Sequence, residues 1–449
     1  MKKSLLYTYG VGDMFFVLMV CMEMYYFTAF LTDYAMFSLE TVRNIQLFTG
    51  AFDLACALLA GFILQKVNLK FGGKYRSWLL IGPLPVVLFF ALQFTKIGPD
   101  MMAISIIVIG FIVSHLIWNI VVACSGSMIG RLTKRPDELT ILSTSRAQGQ
   151  SGGGLIFSVT SLPLITFFAA RTGDITGMTL AVLVFGAMMI LGYLYIFKMT
   201  AGKDPYDEVG PSSQQPAGIP LMEIISLVFK NLPLKMLILT EMFRGSCVQL
   251  VSAFAFYYFR YTAGNLPLMS AFLLSVTAAG FVGASLAAYV GVRFGKRRTY
   301  PIALTCAGIM YISAALFGTT TLVFTILIAV AQMFLAMAGG MSTALFSDTV
   351  VYGEWKTGKN IRGFTMSLQN VSIKLAILIR VTVVTFGLAA IGFIANTEPT
   401  EQVRNGIVSL MSFSPAIVCF CAAILFFFGY KKMNDSDVAK MREEIAARS

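Results

Sequence analysis

Long apolar runs separated by short polar connections recur along almost the whole chain. Hydropathy windows place apolar spans at residues 7–32, 42–65, 77–96, 101–126, 141–169, 176–198, 233–260, 267–291, 300–318, 321–346, 364–394 and 405–430. Each run can cross a hydrocarbon layer of roughly 30 Å as a helix rising about 1.5 Å per residue. Backbone in lipid must satisfy its own hydrogen bonds, so such runs predict helices. The expected fold class is all-α and integral to the membrane, with twelve transmembrane helices. The longest polar stretch, AGKDPYDEVGPSSQQPAGIP, separates spans six and seven near the chain midpoint and has the composition of a linker. LMEIISLVFKNLP, which follows it, is short and amphipathic, as a surface helix at the interface would be. The expected organisation is a six-helix bundle over 1–200, a linker with its short helix over 201–231, a second six-helix bundle over 232–432 and a tail over 433–449.

Composition agrees with lipid as the solvent. Of 449 residues, 57% are hydrophobic and 12% charged, against about 25% charged in soluble domains. The net charge of +12 would suit a nucleic-acid partner if the basic residues formed one surface. Instead they cluster in alternate loops, at Lys66, Lys70, Lys74 and Arg76, at Arg131, Lys134 and Arg135, at Arg293, Lys296, Arg297 and Arg298, and at Lys356, Lys359 and Arg362. The loops between them carry Asp33, Glu40, Glu398 and Glu401. That is the positive-inside pattern, so nucleic acid is excluded as a partner and both termini are expected in the cytoplasm. The tail from Lys431 to Ser449 reads as an amphipathic helix lying on the bundle. All seven cysteines lie in apolar segments, with neither zinc spacing nor a disulfide framework, and read as small packing residues. The N-terminus lacks a cleavage site after a short apolar core and reads as a retained first helix.

A charge at the bilayer centre costs roughly 2.5–3.5 kcal/mol on insertion scales, so the few charges inside spans mark sites or ion pairs. They are Asp13 and Glu23 on span one, Asp53 on span two, Arg146 on span five, Glu241 and Arg244 on span seven, and Lys374 and Arg380 on span eleven. Asp53 and Lys374 lack local partners, which makes them a candidate pair, either a buried salt bridge or a proton or cation acceptor with its competitor. Arg146 opens SRAQGQSGGG, where Gln148 and Gln150 add amides suited to hydroxyls or a carboxylate. Ser151 to Gly154 read as small residues that let helices pack closely. Glu241 and Arg244 are spaced to neutralise each other on one helix. His115, the single histidine, lies beside Trp118 and Asn119 and reads as a packed or interfacial residue, with proton coupling the alternative. Trp118 and Tyr26 are the aromatics best placed to stack on a sugar ring. No zinc-ligand helix motif or Gly-x-Ser-x-Gly element is present, so no enzyme is expected.

The halves repeat weakly in parallel. KFGGKYRSW from Lys70 resembles RFGKRRTYP from Arg293, each after the second span of its half, and Ser145-Arg146-Ala147-Gln148 resembles Ser367-Leu368-Gln369 at matching places in spans five and eleven. Two such six-helix units are the organisation of major-facilitator transporters. The stretch SDTVVYGEWKTGKNIRGFTMSLQNVSIKLA, Ser347 to Ala376, resembles the glycoside-pentoside-hexuronide cation symporter family, to which melibiose permease belongs. YGVGD at Tyr9, Thr32-Asp33, Asp53, KFGGKYRSWLLIG and AFAFYYFRY from Ala253 extend the likeness over nearly the whole chain.

The resemblance implies a major-facilitator fold and symport of a sugar, glycoside or uronide in the cytoplasmic membrane of a bacterium. It implies a cation-coupling role for Asp53 and Lys374, and a cytoplasmic gating motif of Asp348, Tyr352, Gly353, Glu354 and Arg362. Substrate-binding candidates are Tyr26, Trp118, Asn119, Arg146, Gln150, Gln369, Lys374 and Arg380. The second acidic position of span two falls on Ala57, and the sugar-binding acids of spans one and four fall on Val17 and Asn119. A sodium ion needs several oxygen ligands and a lone buried carboxylate can simply be protonated, so protons are expected in preference to sodium. No cofactor or bound metal is expected beyond the coupling ion. The expected partners are a small-molecule solute and the lipid bilayer, with the chain monomeric. Facilitated passage or export of another small amphipathic solute is the alternative within transport, and a non-transporting receptor the alternative outside it.

Overall fold

The computed structural model describes residues 3–448 other than 68, 70, 71, 134, 205–220, 360 and 432. Among the described residues there are helices, turns and connections, and no strand. The chain divides into two compact units, one of Met1–Gly210 with Asn265–Leu274 and Gly392–Glu398, the other of Pro211–Gly264, Ser275–Ile391 and Pro399–Ser449. The helices are, in order, α1 (Lys3–Thr8), α2 (Val11–Ala29), α3 (Leu39–Lys66), α4 (Arg76–Ile81), α5 (Pro83–Gln93), α6 (Asp100–Leu132), α7 (Pro136–Thr172), α8 (Asp174–Met199), α9 (Leu221–Lys230), α10 (Leu232–Tyr257), α11 (Leu268–Phe294), α12 (Lys296–Phe317), α13 (Thr321–Thr357), α14 (Arg362–Ala390), α15 (Glu401–Gly429) and α16 (Asp435–Arg448).

Eleven helical stretches of the described residues are long and apolar enough to cross a membrane. The remaining expected span, 77–96, is divided into α4 and α5. Pro83 opens α5 without an N–H to donate, which interrupts the hydrogen-bond ladder at Gly82. Side chains are also excluded there, because a Cβ on Gly82 would lie 2.5 Å from Val121 Cγ2. Spans one and seven both end in a five-residue π-helix, Phe30–Tyr34 and Tyr258–Thr262. The internal repeat therefore reaches the backbone geometry of the first helix of each half as well as its loops.

Glycines set the closest approach in the first unit. Ser145, Gly149 and Gly153 recur every fourth residue on one face of α7, where small residues let two helix backbones meet. A Cβ on Gly149 would lie 2.2 Å from the Gly10 carbonyl oxygen, and one on Gly153 would lie 2.2 Å from that of Met14. At the junction of α1 and α2, Gly10 donates its N–H to Ser145 Oγ at 3.1 Å. Of the expected packing stretch Ser151 to Gly154, Gly153 makes the backbone approach, and Gly149 before it makes another.

Two polar loop locks hold the ends of the bundles. In the first unit Asp204 Oδ2 accepts the N–H groups of Tyr75 and Arg76 at 2.6 and 2.9 Å. Arg76 in turn donates to Thr200 Oγ1 at 3.1 Å and the Phe197 carbonyl at 2.7 Å. In the second unit Lys296 Nζ donates to Asp348 Oδ2 at 2.6 Å. The tail helix α16 lies against α13, where Trp355 Nε1 donates to Glu444 Oε2 at 2.6 Å and Arg442 comes within 3.7 Å of Asp348.

Candidate functional site

Within the first unit, α2, α3, α6 and α7 bring their intramembrane polar residues into two groups. The first surrounds Asp13, which is 1% exposed. Arg146 Nε on α7 donates to Asp13 Oδ1 at 3.0 Å and Ser125 Oγ on α6 donates to Oδ2 at 2.7 Å. The Tyr9 hydroxyl completes the group by donating to the Ser125 carbonyl at 2.6 Å. The Arg146 guanidinium lies over Gly126, where a Cβ would come within 3.1 Å of Nη1. A buried carboxylate held by a guanidinium and a hydroxyl is neutralised locally, so this group ties three helices together.

The second group joins Asp53, Asn119, His115 and Glu23. Asn119 Nδ2 donates to Asp53 Oδ1 at 3.0 Å and to the His115 carbonyl at 2.7 Å. One turn away on α6, His115 Nε2 lies 3.0 Å from Glu23 Oε2 of α2. His115 Nδ1 lies 3.0 Å from the Phe111 carbonyl and 3.3 Å from Ser114 Oγ. A hydrogen on Nε2 or on the carboxyl makes the contact to Glu23 a hydrogen bond. The imidazole is clamped flat against Phe111, with centroids 3.6 Å apart and planes at 4°, and Gln93 Nε2 fixes the neighbouring Ser114 hydroxyl at 2.8 Å.

The second unit carries its own buried ion pair. Arg244 Nε and Nη2 approach Glu241 Oε2 at 3.0 and 2.7 Å, and the Tyr300 hydroxyl donates to Oε1. These two residues neutralise each other on α10, as their spacing predicts. On α14, Gln369 Nε2 donates to Ser342 Oγ of α13 at 3.2 Å, Arg380 Nη1 donates to Gln249 Oε1 of α10 at 3.2 Å, and Lys374 is half-buried.

The family model for MFS/sugar transport proteins matches residues 8–432. The chain belongs to this family. It is 26% identical over 447 residues to an uncharacterized symporter of Bacillus subtilis (strain 168), covering 98% of this chain and 95% of that protein. It is 27% identical over 446 residues to a putative sulfoquinovose importer of Salmonella typhimurium (strain LT2), covering 98% and 92%. Among solved structures it resembles a D-xylose-proton symporter with a TM-score of 0.67 at 14% identity, covering 95% and 97% of the two chains, a likeness that concerns the fold. This MFS/sugar transport protein is therefore a multi-pass membrane transporter for sugar-like solutes with the major-facilitator fold, and not an enzyme.

Seen in the family member's structure, the candidate residues separate. Asp53 and Asn119 come together, and His115 with Glu23 joins them. Arg146 is engaged by Asp13 rather than turned with Gln150 toward a shared site, and Gln150 is exposed. Tyr26 is 1% exposed with its ring against Phe157, so it offers no open face for stacking and is a core residue instead. Trp118 is half-buried between Phe16 and Phe90, at 4.2 and 5.7 Å between centroids. Val17 packs toward α7, where a Cβ on Gly153 would come within 3.1 Å of it. In the expected gating motif, Asp348 holds Lys296, while the half-buried Tyr352 ring lies 6.0 Å from Trp355. A Cβ on Gly353 would come within 3.0 Å of Asn231 Nδ2, and the Glu354 carbonyl accepts Gly358 N–H at 2.7 Å. The side chain of Arg362 lies outside the described positions. Glu23 and Asp204 are the contributors that the sequence reading underweighted. Glu23 was visible as a buried acid without a local partner, whereas Asp204 was hidden by the linker-like composition around it.

Proposed function

We propose that this transporter imports a sugar-like solute, anionic sugars included, by symport with protons across a bacterial cytoplasmic membrane, with both termini in the cytoplasm. The observation that supports the proton reading is the Glu23–His115 pair, a carboxyl–imidazole contact of 3.0 Å inside the membrane spans that lies one helical turn from the Asn119–Asp53 hydrogen bond. Asp53 is the carboxylate beside that pair, and Asn119 spans the two by donating to both Asp53 and the His115 carbonyl. Ala57 follows Asp53 by one turn and supplies no oxygen, so a sodium ion would lack the ligands it needs to replace its water. Lys374 and Arg380 give α14 two positive charges, which suits a uronide or a sulfonated sugar. A relative named as a putative sulfoquinovose importer supports the same class.

The test is uptake by the purified protein in proteoliposomes, using labelled D-glucuronate, sulfoquinovose and D-xylose under an inward proton gradient or an inward sodium gradient at equal pH. The reading expects accumulation of at least one of these solutes with the proton gradient and none above equilibration with sodium alone. Accumulation driven equally well by sodium at constant pH would contradict the proton assignment, and flux of none of the three would contradict the solute class.

A further inference from the structure

Between α12 and α15 of the second unit lies a cavity of about 680 Å³. One end is bounded by Arg297 and Arg298, and the walls running away from them include Ile302, Cys306 and Phe427. Along α12, Arg298 is followed at three- and four-residue steps by Ile302, Cys306 and Ile309, so one face passes from cation to hydrocarbon. Ile302 and Phe427 are 60% and 61% exposed, and Ile309 and Ile424 extend the same apolar surface beyond the cavity. In a multi-pass membrane protein an apolar surface of this kind is covered by lipid chains.

Among the described residues neither arginine of the charged end makes an ion pair, although Asp437 accepts the N–H of Asn434 at 3.1 Å. Arg297 Nη1 bonds to Asn434 Oδ1, a neutral amide, and Arg298 makes no hydrogen bond or ion pair among the described residues. Among the described residues that line the cavity there is no carboxylate, so the cationic end of a zwitterionic headgroup gains no ion pair from them. A free phosphate would satisfy the arginines and leave the apolar walls uncovered. We propose that this groove is a binding site for an anionic glycerophospholipid, with the phosphate at Arg297 and Arg298 and an acyl chain along Ile302, Cys306 and Phe427. Basic pockets between membrane helices recognise lipid headgroups by this combination of charge and hydrocarbon.

Native mass spectrometry of the full-length protein tests the site, by titration with phosphatidylglycerol, phosphatidylcholine of matched chains, and inorganic phosphate. Each basic residue near a membrane surface contributes roughly fivefold to anionic-lipid affinity, so the Arg297→Gln/Arg298→Gln variant should need about 30-fold more phosphatidylglycerol for half-saturation. Arg298→Gln alone removes only an exposed side chain without a protein partner, so it keeps the fold and should show about a fivefold loss. Arg293→Gln, at the end of α11 with its guanidinium on Tyr289, should bind as the unmodified protein does. Saturable phosphatidylglycerol binding that falls in this order supports the proposal. Equal binding of phosphatidylcholine, unchanged binding by both arginine variants, or displacement of the lipid by millimolar phosphate would overturn it.

Discussion

Replacing Asp13 by Asn keeps the shape of the side chain and removes its charge, which makes the Asp13–Arg146 contact a direct probe of what Arg146 is for. In the structure the carboxylate is 1% exposed and the Arg146 side chain 22%, joined at 3.0 Å. Removing one partner of a buried ion pair costs about 3–5 kcal/mol, because the other charge is left without compensation. Asp13→Asn strands the more exposed partner, so about 3 kcal/mol is expected. Arg146→Gln strands the fully buried carboxylate and should cost closer to 5 kcal/mol. Asn and Gln together leave two neutral amides, so the double variant should recover about 2 kcal/mol or more relative to the sum of the single changes. Unfolding by sodium dodecyl sulfate titration in mixed micelles, followed by maleimide labelling of the buried Cys21, Cys56 and Cys124, reads all four proteins. Additive losses, within about 0.5 kcal/mol, would refute the claim that these residues form one structural pair. A double variant that folds normally but binds no solute would instead return Arg146 to the substrate site.

Two further outcomes follow from the same geometry. His115→Gln removes the imidazole that contacts Glu23 at 3.0 Å, so accumulation of solute under a proton gradient should fall at least several-fold in proteoliposomes; unchanged accumulation would contradict a part for this pair in coupling. Gly149→Ala places a Cβ 2.2 Å from the Gly10 carbonyl and should destabilise by about 3 kcal/mol or more, whereas Gly61→Ala, with nothing within 4 Å, should be neutral or stabilise its helix by up to about 1 kcal/mol.

Much of the fold was legible because membrane helices announce themselves locally. Every apolar run became helix, and the repeat seen in KFGGKYRSW and RFGKRRTYP reappears as a pair of loop locks and a pair of π-helical ends. The division of one span was also written in GPLP, but a hydropathy window averages over a proline that the hydrogen-bond ladder cannot. The candidate site was legible only as a set of expensive residues. Asp13, Glu23, Asp53, His115 and Arg146 were all conspicuous for lying in lipid, yet sequence spacing gives partners only within a helix. Glu241 and Arg244 were paired correctly for that reason. Arg146 with Asp13, and His115 with Glu23, pair across helices, and which helices meet depends on tertiary packing. Tyr26 shows the converse limit, since an aromatic in a polar-bearing span can face either the core or a cavity.

Asp53 is proposed to accept the coupling proton of a sugar-like solute carrier. The most direct measurement compares Asp53→Asn with the unmodified protein in proteoliposomes, scoring accumulation under a proton gradient and exchange of preloaded solute without one. Asp53→Asn is expected to lose accumulation and keep exchange, since a permanently neutral side chain lets the carrier turn over without moving protons. Accumulation by Asp53→Asn at the unmodified rate and level would contradict it.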